Sequence, residues 1–246
     1  MRCAMAVMAK APRPGAVKTR LVPPLTGAEA AALSGAFLGD VTANIALAGR
    51  SAPIAGYVAY APAGADAGFA GMLAPGTQLV LADGAGPMPP GVEGIGRSLL
   101  HAARTLLASG AAAVCMVNAD SPTLPTGFLI EAASALLRPG PRLVLGPAED
   151  GGYYLIGLKA AHARLFADIA WSTPEVARQT LARAAELGLE VALLPPWYDV
   201  DDPASLARVL DELAAPDGRA PRAFAAAATA ALLARLDLAG RPGLAA

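Results

Sequence analysis

The chain has 246 residues, of which 55% are hydrophobic and 16% are charged, and its formal net charge is −1. This length and apolar content suit one large α/β domain, and the near-neutral charge excludes the broad basic surface that nucleic-acid binding needs. No apolar run reaches the ~18 residues of a membrane helix and the apolar N-terminus is too short for a signal peptide, so the sequence predicts a soluble cytoplasmic protein without a membrane partner.

Short apolar runs alternate with helix-like segments along the first half of the chain. The first strand is predicted at Cys3 to Met8, because this run gives way at once to a Pro/Gly loop. A helix is expected to begin at Thr26, which forms a capping box with Glu29, and to end near Ala48. The elements expected next are strands at 54–61 and 78–81, a long loop at 82–96, a helix at 98–107 and a strand at 112–117.

The second half continues the same alternation. The expected elements are a helix at 126–137, strands at 142–146 and 153–158, a helix to about 187 opened by a second capping box at 172–175, a strand at 190–194, and a helix opened by Asp202 and Pro203. The alternation predicts an α/β fold with a mostly parallel central sheet and helices on both faces.

The composition changes after Leu213. Residues 214–222 resemble a linker, and an Ala-rich helix is expected at 223–236 because alanine has the highest helix propensity. The prediction is one domain over 1–213, followed by a linker and C-terminal helix over 214–246. That helix would pack on the domain or on a second subunit, which leaves a homodimer open.

Aspartates collect where the apolar strands are predicted to end. Asp120 follows one such strand, and Asp199 and Asp201 follow another. The carboxyl ends of parallel strands are where open α/β sheets bind ligands, and hard cations prefer carboxylate oxygens. Asp199 and Asp201 project to one side of an extended backbone, so they could share a divalent cation with Asp120. A turn or a helix cap is the alternative role for Asp120.

A fourth aspartate, Asp150, precedes two glycines and two tyrosines. The Asp-Gly pair is a strong signal for a tight hairpin turn. In the functional alternative, the glycines admit an acceptor molecule or sugar close to the backbone, and Asp150 or Tyr153 bonds to it.

Cations follow the first predicted strand. Four of them, Lys10, Arg13, Lys18 and Arg20, lie within 11 residues on a loop broken by prolines and by Gly15. Such a loop suits an anionic ligand such as a nucleotide pyrophosphate, and Gly15 lets the backbone approach it. Solvated surface cations are the alternative. The Walker A pattern is absent.

Nucleophilic catalysis finds little support. His101 and His162 lie in predicted helices away from these loops, and Cys3 and Cys115 lie in strand-like runs where a thiol serves as a small apolar side chain. Carboxylates for a metal and cations for phosphates indicate metal-dependent transfer from a nucleotide, by positioning and charge neutralisation.

Across about residues 3–212, the motifs closely resemble those of the DUF2064 family. They are Met8-Ala9-Lys10-Ala11-Pro12, Pro14-Gly15-Ala16-Val17-Lys18-Thr19-Arg20-Leu21, Asp120-Ser121-Pro122-Thr123-Leu124-Pro125, Gly146-Pro147-Ala148-Glu149-Asp150-Gly151-Gly152-Tyr153-Tyr154-Leu155, Trp171-Ser172-Thr173 and Asp199-Val200-Asp201-Asp202-Pro203. Members are described as glycosyltransferases of the glycosyltransferase-A fold, the fold of nucleotide-diphospho-sugar transferases, and some are associated with arsenosugar biosynthesis gene sets. The layout is also similar to that of 2-phospholactate guanylyltransferases.

The resemblance implies roles for these residues within a catalytic domain over 1–213. It implies that Lys10, Arg13, Gly15, Lys18 and Arg20 bind the nucleotide phosphates, that Asp120, Asp199 and Asp201 hold Mg²⁺ or Mn²⁺, and that Lys18, Asp120 and Asp150 serve catalysis. Relatives carry a Gly-Asp-Leu-Gly-x-Arg-like segment near the nucleotide. By this resemblance Arg97 would also contact the nucleotide, although here the acid of that segment is missing and Arg97 is shifted by one position. A glycine-containing helix N-terminus is the alternative for this segment.

Three functions remain open at this stage. The first is a metal-dependent glycosyltransferase that uses a nucleotide sugar and a small-molecule acceptor. The second is a nucleotidyltransferase that moves a nucleoside monophosphate from a triphosphate to a phosphorylated small molecule. The third is a nucleotide-binding protein without catalytic activity.

Overall fold

The structure is a computed structural model that describes residues 1–214, 223–236, 238 and 241. Within these residues seven strands form one sheet: β1 (Cys3–Lys10), β2 (Ile54–Ala61), β3 (Gln78–Leu81), β4 (Ala113–Val117), β5 (Arg142–Pro147), β6 (Tyr153–Leu158) and β7 (Glu190–Leu193). Six α-helices surround it: α1 (Gly27–Ala48), α2 (Gly94–Ala108), α3 (Thr126–Leu136), α4 (Val176–Glu186), α5 (Pro203–Ala214) and α6 (Ala227–Leu233).

The strands lie in the order β3-β2-β1-β4-β6-β5-β7. Every neighbouring pair is parallel except the two pairs that involve β6, which runs antiparallel to both β4 and β5. Only residues 148–152 connect β5 to β6, and so short a connection can join antiparallel strands but not parallel ones. The predicted α/β fold with a mostly parallel sheet is confirmed.

Helices cover both faces of the sheet. Cys3, Met5 and Val7 of β1 pack on the face that also buries residues of α1, α3, α5 and α6. Ala4 and Ala6 pack on the opposite face with residues of α2 and α4. Because side chains alternate along a strand, a strand buried on both faces has a continuous apolar sequence, as β1 does.

The longest helix, α1, begins as predicted. The Thr26 hydroxyl accepts a hydrogen bond from the Glu29 amide, and the Glu29 carboxylate accepts one from the Thr26 amide. By length and composition α1 could cross a membrane, but 61% of its most apolar 18-residue window is buried inside the fold. The two cysteines are also buried as free thiols, and their sulfur atoms lie 3.8 Å apart, within hydrogen-bond distance for thiols.

The predicted capping box at 172–175 is wrong. Helix α4 begins at Val176, and Ser172 has a positive φ of 62°. The Thr173 hydroxyl donates to the Ala170 carbonyl, and the Glu175 carboxylate pairs with Arg178 instead of returning to the chain before the helix. These contacts form a local turn ahead of α4. The helix begins after Glu175, so Ser172 does not stand at its N-cap and Glu175 does not stand three residues into it.

Helix α2 begins at Gly94, four residues before the predicted start at residue 98. A Cβ atom at Gly94 would lie 3.1 Å from the Trp171 ring, and one at Gly96 would lie 2.8 Å from it. The glycines are therefore compatible with the helix because they let Trp171 pack closely on its first turn.

The C-terminal segment packs on the domain. Residues 215–222 of the predicted linker lie outside the described residues, and α6 spans seven residues, which is shorter than the predicted helix. Leu233 of α6 is buried in the same core as α1. The buried Asp40 carboxylate of α1 accepts hydrogen bonds from the amides of Ala228 and Thr229, at 2.9 and 2.7 Å.

We expect Asp40→Ala to lower the free energy of unfolding by about 1–2 kcal/mol, because it leaves two amides at the start of α6 without their acceptor. Asp40→Asn keeps one acceptor oxygen, so its loss should be smaller. Urea denaturation measures both, with Asp211→Ala in the exposed part of α5 as the control. An Asp40→Ala variant as stable as the control would show that this contact does not hold the C-terminal segment.

Candidate active site

The carboxyl edge of the parallel strands carries two adjoining cavities. The first has a volume of about 340 Å³ and lies over the end of β1 and the loop that follows it. The second has a volume of about 590 Å³ and lies over the ends of β4 and the β5–β6 hairpin. Met8, Arg20, Ile95 and Asp201 line both cavities, so the two form one continuous cleft.

Lys18 occupies the wall of the first cavity. Its ammonium lies 2.7 Å from an Asp120 carboxylate oxygen and 2.8 Å from an Asp201 carboxylate oxygen, and it donates to the Val200 carbonyl at 2.7 Å. Only 4% of the Lys18 side chain is exposed. Burial acts to lower the pKa of Lys18, but the charges and hydrogen bonds of the two carboxylates outweigh it and raise the pKa above 10.5. Lys18 is therefore a buried cation that joins two strand ends.

The loop before Lys18 sets this position. Gly15 has a φ of 75° within a turn closed by the hydrogen bond from the Ala16 amide to the Arg13 carbonyl, 3.0 Å long. Lys18 itself lies in the left-handed region, with a φ of 49°, directly before a 3-10 turn that buries Leu21. The turn directs the Lys18 side chain inward toward the sheet edge.

Arg20 lies at the boundary of the two cavities. Its guanidinium pairs with the Asp201 carboxylate, while 71% of its side chain is exposed. Lys10 also lines the first cavity, and Arg13 and Gly15 are absent from the lining of both. Of the predicted phosphate-binding residues, the structure thus places Lys10, Lys18 and Arg20 around one cavity.

The predicted metal ligands Asp120, Asp199 and Asp201 lie at the same edge of the sheet, with the Lys18 ammonium between Asp120 and Asp201. Burial raises the pKa of Asp199 to about 6, and the negative charges of Asp201, Asp150 and Asp120 act in the same direction. Four carboxylates therefore share this edge, and their oxygen atoms and mutual repulsion suit a hard divalent cation. Among the described residues, no three Asp, Glu, His or Cys side chains lie close enough to hold a metal ion, and the Lys18 ammonium lies between Asp120 and Asp201.

We expect Asp199→Asn to raise the unfolding temperature by about 2–4 °C at pH 8 in metal-free buffer. The native carboxyl, with its pKa raised from 3.8 to about 6, binds a proton more tightly than the unfolded chain does. Native stability therefore falls as the pH rises from about 4 to 6, and the asparagine variant lacks that loss. Calorimetry at pH 4 and pH 8 tests this, with Asp211→Asn as the control. A gain of equal size at both pH values would contradict it.

The second cavity is lined mostly by uncharged side chains. Asn118, after the end of β4, and Trp171, before α4, contribute to its lining, and each has a polar side-chain atom that is buried without a hydrogen-bond partner. Tyr153 also lines the cavity, and its hydroxyl is buried beside Thr180, where burial raises its pKa. Asp150 lies at the exposed rim.

The β5–β6 turn explains the two glycines after Asp150. The Asp150 carboxylate accepts a hydrogen bond from the Gly152 amide at 2.8 Å, which forms a tight turn. Gly151 has a φ of 90°, and a Cβ atom there would lie 2.2 Å from the Pro174 carbonyl oxygen. The hairpin alternative is thus observed, and close packing on Pro174 takes the space that was expected to admit a ligand at Gly151.

Arg97 and His101 belong to α2, and their side chains contact the loop that precedes it. The Arg97 guanidinium donates to the carbonyls of Gly84 and Gly86, at 3.1 and 2.9 Å, and Arg97 lines neither cavity. Its nucleotide contact stays a prediction. His101 lies in α2, accepts a hydrogen bond from the Gly84 amide and lines neither cavity. His162 precedes a 3-10 turn instead of lying within a helix.

Sequence reasoning missed several residues of the cleft, among them Met8, Ile95 and Asn118. Ile95 is 52% exposed and lines both cavities. An exposed isoleucine within a Gly-rich segment gave no periodic signal, because its environment depends on the distant Arg20 loop. Asn118 stands two residues before Asp120, and its place at a strand end was the signal that could have identified it.

Solved structures of other proteins share the fold of this chain. A structure from Desulfovibrio desulfuricans G20, provisionally named a nucleotide-diphospho-sugar transferase, is 27% identical, covers 95% of each chain and superposes with a TM-score of 0.78. CMP:2-keto-3-deoxy-manno-octonic acid synthetase complexed with CTP is 12% identical, covers 87% of this chain and 99% of its own, and superposes with a TM-score of 0.54. The chain has the nucleotide-diphospho-sugar transferase fold.

The sequence itself identifies the family. The family model described as "Uncharacterized protein conserved in bacteria (DUF2064)" matches residues 45–173, and the chain belongs to that family. This range contains Asp120 and Asp150, whereas Lys18, Asp199 and Asp201 lie outside it. No curated protein matches the sequence significantly.

Proposed function

We propose that this protein is a metal-dependent glycosyltransferase that binds a nucleotide sugar in the first cavity and a small-molecule acceptor in the second. The activity is assigned to residues 1–213. The observation that carries the proposal is the buried Lys18 ammonium in the wall of the first cavity, which joins Asp120 to Asp201, a residue that lines both cavities. A transferase needs two binding sites that meet at the reacting atoms, and this cleft supplies them.

The cations of the first cavity would bind the diphosphate. Lys10 and Arg20 offer exposed charge, and Arg20 can direct its planar guanidinium to phosphate oxygens. Lys18 would orient Asp120 and Asp201 and keep their charges from repelling the anionic ligand.

The carboxylates at this edge are the kind of ligand that a hard divalent cation prefers. Asp120, Asp199 and Asp201 would hold Mg²⁺ or Mn²⁺ through carboxylate oxygens once they came closer together than they lie with the Lys18 ammonium between Asp120 and Asp201. Burial is the main cause of the raised pKa of Asp199, and the neighbouring negative charges, which such an ion would offset, act in the same direction. The ion would supply further neutralisation of the departing diphosphate.

In the transfer step, an acceptor hydroxyl oxygen forms a bond to the anomeric carbon of the sugar. The bond from that carbon to the phosphate oxygen breaks, and the nucleoside diphosphate leaves with the electron pair. Asp150 lines the second cavity at its rim, where its carboxylate could take the hydroxyl proton. The products are the glycosylated acceptor and the nucleoside diphosphate.

The cations around the first cavity favour a second candidate, nucleotidyl transfer. In that reaction a substrate phosphate attacks the α-phosphorus of a nucleoside triphosphate, and pyrophosphate leaves. Two of these cations, Lys18 and Arg20, are already paired with Asp201, which leaves less positive charge for a triphosphate and a phosphorylated acceptor together.

Ligand-dependent thermal unfolding tests the proposal. Nucleotide sugars and nucleoside triphosphates are each added with and without Mg²⁺ or Mn²⁺, because a ligand that binds only the folded state raises the unfolding temperature. We expect a metal-dependent rise with a nucleotide sugar, a weaker rise in Arg20→Ala, and a native response in Arg50→Ala at the opposite sheet edge. A larger rise with a triphosphate would favour nucleotidyl transfer, and no rise with any nucleotide would contradict both reactions. Stabilisation without turnover would indicate a non-catalytic binding protein.

A further inference from the structure

Lys18 occupies the space between two of the carboxylates that would hold a metal ion. Its ammonium has three N–H groups and three acceptors: Asp120 at 2.7 Å, Asp201 at 2.8 Å and the Val200 carbonyl at 2.7 Å. Mg²⁺ binds carboxylate oxygens at about 2.0–2.1 Å, which is closer than an ammonium approaches them. The ammonium and a metal ion therefore cannot both lie between Asp120 and Asp201.

The same three bonds keep Lys18 from a ligand. Lys18 lines the first cavity, but its N–H groups are already directed to the two carboxylates and to the Val200 carbonyl. A phosphate in the cavity gains a hydrogen bond from Lys18 only when the ammonium leaves one of these acceptors. The flexible four-carbon stem of a lysine allows that movement by rotation of side-chain bonds, without a change in the backbone.

The two strand ends are joined independently of Lys18. The Val200 amide donates to the Asp120 carbonyl at 2.8 Å, and the Ser121 hydroxyl donates to the Tyr198 carbonyl at 2.9 Å. These bonds keep the backbone of Asp120 beside that of Asp201 when the ammonium moves away. The two carboxylates are then left without their shared counter-charge, and a divalent cation can replace it.

The charges of the site link metal binding to phosphate binding. A divalent cation that arrives alone meets Lys18 and Arg20, which both pair with Asp201. A phosphate that arrives alone in the first cavity meets the carboxylates of Asp120 and Asp201. When both arrive, the phosphate binds the released ammonium and the metal binds the released carboxylates. Each ligand therefore lowers the electrostatic cost of binding the other.

We infer that Lys18 competes with the metal ion for Asp120 and Asp201 and thereby couples metal binding to phosphate binding. Without a phosphate ligand, its ammonium excludes a divalent cation from these carboxylates. A phosphate in the first cavity draws the ammonium away and opens the carboxylates to the metal. The inference rests on the proposed function for the metal site, but it requires only a phosphate group and not a nucleotide sugar.

Binding of Mn²⁺ to the protein alone tests the competition, with the free ion measured by electron paramagnetic resonance. We expect Lys18→Met to bind Mn²⁺ about tenfold more tightly than the native protein, because no ammonium occupies the carboxylates. Arg20→Met is the matched control. It also removes a cation paired with Asp201, but it leaves Lys18 between the carboxylates, so its gain should be smaller. Equal gains in the two variants, or no gain in Lys18→Met, would overturn the inference.

A second variant keeps the inference falsifiable if Lys18→Met folds poorly. Asp120→Asn removes one of the two charges that hold the ammonium, so inorganic diphosphate in metal-free buffer should bind about fivefold more tightly, as measured by calorimetry. Asp150→Asn is its control, because it removes one charge at the same edge from a residue that does not hold the ammonium. Its gain should be smaller, and equal gains would overturn the release of Lys18 to a phosphate.

The outcomes separate this inference from the proposed function. Tighter Mn²⁺ binding by Lys18→Met, without a response of the native protein to any nucleotide, would overturn the proposed function and support the inference. Stabilisation of the native protein by metal and a nucleotide sugar, without tighter Mn²⁺ binding by Lys18→Met, would overturn the inference and leave the proposed function in place.

Discussion

Turnover should fall by about 10²–10³-fold when Lys18 is replaced by methionine, because the variant loses a preorganised buried cation in the wall of the cavity that would hold the nucleotide sugar. Methionine has a similar length and no charge, so the cavity keeps its shape while Asp120 and Asp201 lose the cation that lies between them. Steady-state kinetics with the nucleotide sugar identified by thermal unfolding measure the effect. Lys159→Met, at the opposite sheet edge, is the control and should keep native turnover. A Lys18→Met variant within tenfold of native turnover would contradict a catalytic role for Lys18.

The same substitution should also destabilise the fold. Removing the Lys18 ammonium leaves the Asp120 and Asp201 carboxylates without their buried counter-charge. The expected loss in the free energy of unfolding is about 1–3 kcal/mol, because these carboxylates are 35% and 28% exposed and water partly solvates them. The double variant Lys18→Met/Asp120→Asn removes one of the repelling charges, so it should recover part of the stability but none of the turnover. Recovery of both would show that Lys18 serves stability alone.

Gly151→Ala should be the most destabilising single-methyl addition in the cleft, with a loss of about 3 kcal/mol or more. The added Cβ would lie 2.2 Å from the Pro174 carbonyl oxygen and 2.5 Å from its Cα atom, and backbone atoms cannot rotate away. The expected relaxation separates the β5–β6 hairpin from the segment before α4, which forms a wall of the second cavity. Binding of an acceptor should therefore weaken more than binding of a nucleotide.

Gly140 provides a matched control for this prediction. Its φ of 94° is close to the 90° of Gly151, but a Cβ atom at Gly140 would meet no atom within 4 Å. Gly140→Ala therefore measures the cost of the backbone conformation alone, about 1 kcal/mol. Chemical denaturation of both variants gives the difference, which is the cost of the contact with Pro174. Equal losses in the two variants would contradict tight packing at this position.

Much of the fold could be predicted because its signals are local. The strands at 54–61, 78–81 and 153–158 have the predicted bounds, since each apolar run is bounded by turn residues. The capping box of α1 also involves residues three apart. Two predictions failed for different reasons. Helix α2 begins early because the distant Trp171 packs on its glycines. The capping box before α4 is absent because residues 170–175 form a turn and the helix begins only after Glu175.

The candidate site was predictable in location but not in arrangement. The ends of parallel strands meet at one edge, so the sequence predicted that Asp120, Asp199 and Asp201 could share one metal ion, and it placed the loop with Lys18 directly after another strand of the sheet. It predicted Lys18 on phosphates and the aspartates on a metal, whereas the structure pairs them directly. Sequence gives the sign of each charge and the strand it follows. The direction of the Lys18 side chain depends on its left-handed backbone conformation, which no local pattern indicated.

The most direct test of nucleotide-sugar-dependent transfer is ³¹P NMR of the protein with Mg²⁺, nucleotide sugars and a panel of small-molecule acceptors that carry hydroxyl groups, followed over time. Glycosyl transfer predicts that the diphosphate-ester signals of one nucleotide sugar convert to those of the free nucleoside diphosphate, with no conversion in Lys18→Met. Release of pyrophosphate from a nucleoside triphosphate, with every nucleotide sugar unchanged, would contradict it.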